Sequence, residues 1–292
     1  MLSQQLINGL ISSAAICLVA LGFALVYRVT GLFHIAHGAL YVAGMYVTYA
    51  CISIAGLALG FAIMVGVGIT IALGLVFEIG VSRPLRRKKS SILVIFVASL
   101  GFYVVLQNVI SLLFGNGTRS IRTWSIREGW EILGAHITPV QVIIIASAIT
   151  LSIAVMIFQR WTKMGQGMRA VASDPELASI SGLNVNNIIL LTFVLGSALA
   201  GIAGIVVSLD ADMTPTMGMR ALLMGVVAVI VGGRNSIPGV ALGALILGMT
   251  QHLGTWQISA KWQDAIVFVI LLIFLLFRPQ GFFGKKMRTV HV

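Results

Sequence analysis

The chain has 292 residues, of which 59% are hydrophobic and 9% charged; its formal net charge is +11 and its mean hydropathy +1.04. Soluble domains carry roughly 25% charged residues, so a water-soluble globular protein is excluded. The cations fall in short loops between apolar runs and therefore set orientation in a membrane rather than mark a nucleic-acid site.

Unbroken apolar runs of about 20 residues imply helical spans and not the alternating strands of a membrane barrel, because lipid offers backbone polar groups no partner. The prediction is an all-α polytopic membrane protein, one integral domain over residues 1–292. The start, MLSQQLINGL, lacks the basic region of a secretory signal peptide, so the first apolar run is expected to be retained. Spans are predicted over 6–26, 39–55 and 59–80. Then comes SRPLRRKKSS, where Arg83, Arg86, Arg87, Lys88 and Lys89 place the loop in the cytoplasm. A fourth span is predicted over 92–114. The loop after it sets Arg119, Arg122 and Arg127 against Glu128 and Glu131, and holds Trp124 and Trp130, which suit an outer interface.

A fifth span, 140–158, returns to Arg160 and Lys163, and a sixth, 188–209, ends outside at Asp210 and Asp212. Between them lies a cytoplasmic loop, about residues 160–187. Its long polar run cannot sit in lipid, and it carries helix punctuation. Asp174 suits an N-cap, Pro175 the first helical position, Glu176 the positive end of the dipole, and Gly182 the residue past the end. A short helix over 175–181 on the membrane surface follows. It is either a handle for a soluble partner or an ordinary capped loop helix.

The next apolar stretch, MGVVAVIVGGRNSIPGVALGALILGM, is broken by Gly232, Gly233, Arg234, Asn235, Ser236, Pro238 and Gly239. It forms either two short spans meeting at a cytoplasmic turn or one discontinuous element. A last span, 265–277, precedes a basic tail. About eight to nine transmembrane helices result, broken or re-entrant segments included. Of the 19 Lys and Arg residues, Arg119, Arg122, Arg127, Arg220 and Lys261 lie outside in this topology and the rest inside. That bias puts the N-terminus outside and the C-terminus in the cytoplasm.

ALVYRVTGLFHIAHGALYVAGMYV and VAVIVGGRNSIPGVALGALILGM each pair apolar flanks with a polar, Gly-containing break. Matching interrupted helices point to a translocation pathway that would include His34, His37, Gly38, Gly232, Gly233, Ser236, Pro238 and Gly239; the same small residues also suit plain helix packing. Gly38 and Gly239 are expected where backbone approaches a helix or a solute. His34 and His37 either hydrogen-bond across helices or line that pathway, since two histidines fall short of a closed metal site. Glu78, near the inner membrane edge with Arg83 five residues on, is either a snorkelling or paired interfacial charge or a proton-coupling acid. Cys17 and Cys51 lie in apolar runs without metal or redox spacing. GQGMRAVA and GGRNSIPG lack the Lys-Ser/Thr of a nucleotide-binding loop, and no catalytic or metal constellation is present. The chain is therefore expected to be neither an ATPase nor another enzyme, and to bind no cofactor.

Six blocks in order carry a family resemblance: the opening NGLISSAAICLVALGFALVYRVTGLFHIAHGALYVAGMYV, RPLRRKK, SLGFYVVLQN, GQGMRAVASDPELASISGLNVNNIILLTFVLGSALAGIAG, GGRNSIPGVALGALILG and RPQGFFG. Together they resemble the LivH-type permease subunits of bacterial branched-chain amino acid ABC importers over nearly the whole chain. His34, Arg234-Asn235 and Asp210-Ala-Asp212 depart from the family pattern. The resemblance implies a multi-pass protein of the bacterial cytoplasmic (inner) membrane. It implies a second homologous permease, two cytoplasmic ABC ATPases that hold ATP and Mg, and a periplasmic or lipid-anchored substrate-binding protein. It makes the Asp174 to Gly182 helix the coupling contact to an ATPase. Sister systems with the same fold carry urea, short amides or other amino acids, and a stand-alone carrier or channel is the rival class.

Overall fold

A computed structural model of the chain describes residues 2–122, 129–132, 134–233, 235–254, 259–278 and 281–283. Trp124, Arg127, Glu128, Arg234 and the basic tail lie outside the described residues. Helix α1 (Leu2–Thr30) is followed by α2 (Ala36–Tyr49), which a π turn extends to Ile54. Next comes α3 (Leu59–Phe77), continued through a second π turn, Glu78–Ser82, into α4 (Arg83–Arg87), then α5 (Ile92–Phe114). A short antiparallel hairpin, β1 (Trp130–Ile132) and β2 (Ala135–Ile137), leads to α6 (Pro139–Trp161). The remaining helices are α7 (Lys163–Ser173), α8 (Pro175–Ile180), α9 (Val185–Ser208), α10 (Met217–Gly232), α11 (Ile237–Gly254) and α12 (Gln263–Phe277). Among the described residues seven helices are long and apolar enough to cross a membrane: α1, α2 with its π turn, the α3–α4 rod, α5, α6, α9 and α11. Helices α10 and α12 are shorter apolar helices. The fold is that of a multi-pass helical membrane protein.

Helix α1 is the axis. It packs against α6, α9, α10 and α11, and 83% of its most apolar window is buried, against 11% for α6. A helix apolar all round belongs in the interior, and α1 fits that rule from Leu18 to Val26. Crossings are made through small residues. A methyl group at Gly44 of α2 would lie 2.9 Å from the Gly201 Cα of α9, and one at Gly22 of α1 would lie 2.8 Å from the Gly196 carbonyl oxygen. Backbones therefore touch, which is how helices gain van der Waals contact in a medium as apolar as themselves.

Two helices begin inside the bundle. The chain turns after α1 at Gly31, φ +67°, and re-enters, so that α2 starts beside the middle of α1: the His37 ring nitrogen Nε2 lies 3.2 Å from the Val19 carbonyl oxygen. After α9 the chain likewise re-enters, and Met217 of α10 shares a cavity wall with Ala15 and Ile16 at the midpoint of α1. The first turns of α2 and α10 meet; a methyl at Gly38 would stand 2.6 Å from the Gly218 carbonyl oxygen. From this meeting point α10 runs toward the end of the bundle that carries Arg83–Lys89, here the basic end, and α2 runs away from it. The following helices complete the inversion, since α3 packs on α9 and α11 on α1.

The sequence paired the break before α2 with the one at 232–239; the structure pairs it with 209–216. Gly232 ends α10 and Gly239 lies in α11, two separate helices. Residues 209–216 read as an exposed loop because they carry Asp210 and Asp212.

Candidate functional site

At the basic end the loop between α6 and α9 is folded into two helices. Only the second was predicted. Thr162 caps α7 by accepting the Gly165 amide at 3.0 Å. Met168 and Val171 of α7 are buried in a cluster with Val26 and Val29 of α1 and Ile188, Ile189 and Phe193 of α9. This cluster, invisible as a linear pattern in a Gly-rich stretch, seats the loop on the bundle.

Helix α8 then stands out from it. One Asp174 carboxylate oxygen accepts the Glu176 and Leu177 amides at 2.9 and 3.0 Å, with Pro175 at the first position. At the other end Gly182, φ +84°, donates to the Ser179 carbonyl at 3.0 Å and Leu183 to the Ala178 carbonyl at 3.1 Å, a Schellman-type close. Ala178 is buried in the same cluster, whereas Leu177 and Ile180 are 61% and 84% exposed. Two bare aliphatic side chains on a doubly capped helix outside the apolar spans form a rigid apolar knob.

The pathway residues fall into two separate places. His34 and His37 are enclosed within the bundle, with ring centroids 6.2 Å apart. His34 Nδ1 lies 3.3 Å from the Ser99 hydroxyl, and Phe77 and Phe193 pack on its ring. Gly38 is a contact between helices. At the basic end, Gly232 and Gly239 pack α10 against α11, Gly233 takes φ +98°, and the Ser236 hydroxyl accepts the Gly239 amide at 3.1 Å. Pro238 is exposed in the first turn of α11. Phe282 and Phe283 of the RPQGFFG motif close this corner, donating to the Val231 and Gly232 carbonyls at 3.0 and 3.2 Å. The length of α10, about 24 Å at 1.5 Å per residue, separates the two groups.

Charge pairs differ from expectation. Glu78 is fully buried and pairs with Arg86, not Arg83; Arg86 also donates to the Ser82 hydroxyl at 2.6 Å. The π turn over Glu78–Ser82 is wider than an α turn, which brings Arg86 round to the face of Glu78. Asp212 pairs with Arg122 at 2.6 Å across the end opposite the basic one. The hydrogen bond from Arg122 holds the Asp212 carboxyl below the usual carboxylate range. Arg220, expected in an outer loop, is one turn inside α10 and donates to Asp264 of α12 through Nε at 3.2 Å and Nη2 at 2.7 Å. No group of three or more metal-ligating side chains occurs among the described residues.

Over residues 5–276 the chain matches the family described as branched-chain amino acid transport system, permease component. It is 32% identical to the high-affinity branched-chain amino acid transport system permease protein LivH of Salmonella typhimurium, across 97% of this chain and 95% of that protein. Identity to the corresponding permease protein BraD of Pseudomonas aeruginosa is 30%, with the same coverage. The ribose import permease protein RbsC of Escherichia coli is 28% identical over 62% of this chain and 59% of its own length.

Proposed function

Because this chain belongs to the family of branched-chain amino acid transport system permease components, we propose that it is the membrane subunit of an ATP-driven importer for leucine, isoleucine and valine. Its end-to-end likeness to LivH and BraD is the observation that carries the reading. It acts as one integral unit over residues 1–292 in the bacterial cytoplasmic membrane, N-terminus outside and basic end inside. A second homologous permease completes the pathway, and a binding protein delivers the solute from outside.

Two cytoplasmic ATPases hold ATP and Mg. The α8 knob suits an ATPase cleft: Leu177 and Ile180 supply apolar anchors, and the caps at Asp174 and Gly182 keep the helix stiff enough to pass on a push. The α7–α8 cluster then carries that push to α1 and α9. Movement of those helices opens the route between the two permeases first to one side and then to the other.

The test is reconstitution with the second permease, the ATPases and the binding protein. Leucine uptake is expected to require ATP and all subunits, and ATP hydrolysis to rise with the loaded binding protein. The isolated chain is expected to hydrolyse none; turnover by it alone refutes the reading.

A further inference from the structure

One cavity and the Arg220–Asp264 ion pair belong together. The cavity, about 270 Å³, lies between α1, α2, α10 and α11, and Ile16, Val19, Met217 and Met224 form much of its wall. Arg220 also lines it and is paired with Asp264. The pair is deep. Arg220 shares its cavity wall with Ile16, the midpoint of α1. Asp264 sits in the first turn of α12, whose 15 residues span about 22 Å, less than a hydrocarbon core of roughly 30 Å.

Yet the two side chains are 63% and 42% exposed. Charges so open at that depth are costly in hydrocarbon; in membrane proteins they face the bundle interior, a watered cavity or a solute route. The side chains also form a specific complement. A guanidinium takes a carboxylate, a carboxylate takes an ammonium, and an aliphatic wall lies alongside. The geometry points to a transport subsite for a zwitterionic aliphatic amino acid: Arg220 receives its carboxylate, Asp264 its ammonium, and the wall of Ile16, Val19, Met217 and Met224 its side chain. This deepens the importer reading and rests on it. The entering solute exchanges one ion pair for two, so gain is offset by the pair already present. The resulting weak hold suits a site that must also release its occupant.

The test uses the complete complex in proteoliposomes, with radiolabelled leucine. Arg220→Met and Asp264→Asn are each expected to lower uptake by about tenfold or more, as loss of one partner of a charge pair does, while the complex still purifies with all subunits. The exchange Arg220→Asp with Asp264→Arg restores the pair but reverses its polarity relative to the apolar wall, so uptake stays low. In a Cys17→Ser, Cys51→Ser background, leucine is expected to slow thiol modification of Ala221→Cys, and isoamylamine, which lacks the carboxylate, is not. Uptake restored by the exchange, or equal modification rates with and without leucine, overturns the subsite. If the wild-type complex takes up no amino acid, the importer reading itself fails; if it takes up leucine and Arg220→Met changes nothing, the subsite alone fails.

Discussion

The Asp174 cap makes the coupling proposal quantitative. Asp174→Ala removes the acceptor of two amides, those of Glu176 and Leu177. Loss of an N-cap costs about 0.5–2 kcal/mol, which changes the ratio of formed to frayed helix by about twofold to thirtyfold. That is small against a bundle of long spans but large for α8, whose six residues are far below the length at which a helix holds itself. Apart from its caps, α8 is anchored by buried Ala178. Insertion and expression are therefore expected to stay near wild type, with leucine uptake and binding-protein-stimulated ATP hydrolysis falling together. Asp174→Asn, an equally good cap, is expected to keep both. The assay is the reconstituted complex, with uptake and ATP turnover read on the same vesicles. Full coupling in Asp174→Ala refutes force transmission through α8; equal loss in Asp174→Asn shows that charge matters and capping does not.

Gly38→Leu is expected to lower folded yield and the midpoint of thermal unfolding, because the new Cβ meets the Gly218 carbonyl at 2.6 Å; overpacking of this kind costs about 1–3 kcal/mol, and an intact, fully stable variant would contradict the backbone contact. The Arg122–Asp212 bridge is expected to persist throughout neutral and mildly acid solution. Because the folded carboxyl sits below its usual value, near 3.9, its contribution is present above that value and is lost as pH falls through the folded one. Unfolding profiles of wild type and Asp212→Asn should then converge only in strong acid. In intact cells an impermeant thiol reagent should reach Asp212→Cys and not Lys88→Cys in the same cysteine-free background; the reverse pattern inverts the proposed orientation.

Most of the spans were legible because a run of about 20 apolar residues has no other stable outcome in lipid. The ends of α8 were legible because Asp174, Pro175 and Gly182 act on their own neighbours. What escaped depends on contacts distant in sequence. Helix α7 reads as part of a polar, Gly-punctuated run until Met168 and Val171 meet α1 and α9. The re-entry before α10 reads as a solvent loop because its acids mask the approach to the interior. Arg220 was placed outside for the same reason: its charge was visible, but the depth of its helix and its Asp264 partner were not. Glu78 found Arg86 through a π turn that no residue pattern announces.

The burial of α1 has a consequence for how the protein is made. Helix α1 comes before the surfaces that enclose it, which belong to α6, α9, α10 and α11. During much of synthesis it must therefore wait among lipid tails, with Gly9 and Ser13 still without the helix they pack on. Both are later filled from the second half of the chain, Gly9 by Met249 and Ser13 by the Leu245 carbonyl that accepts its hydroxyl at 3.2 Å, whereas Gly22 meets His37 of α2 as well as Gly196. A nascent chain stopped before Val185 holds an axis that has α6 but lacks α9, α10 and α11, and the order of translation leaves the centre of the molecule to be completed last.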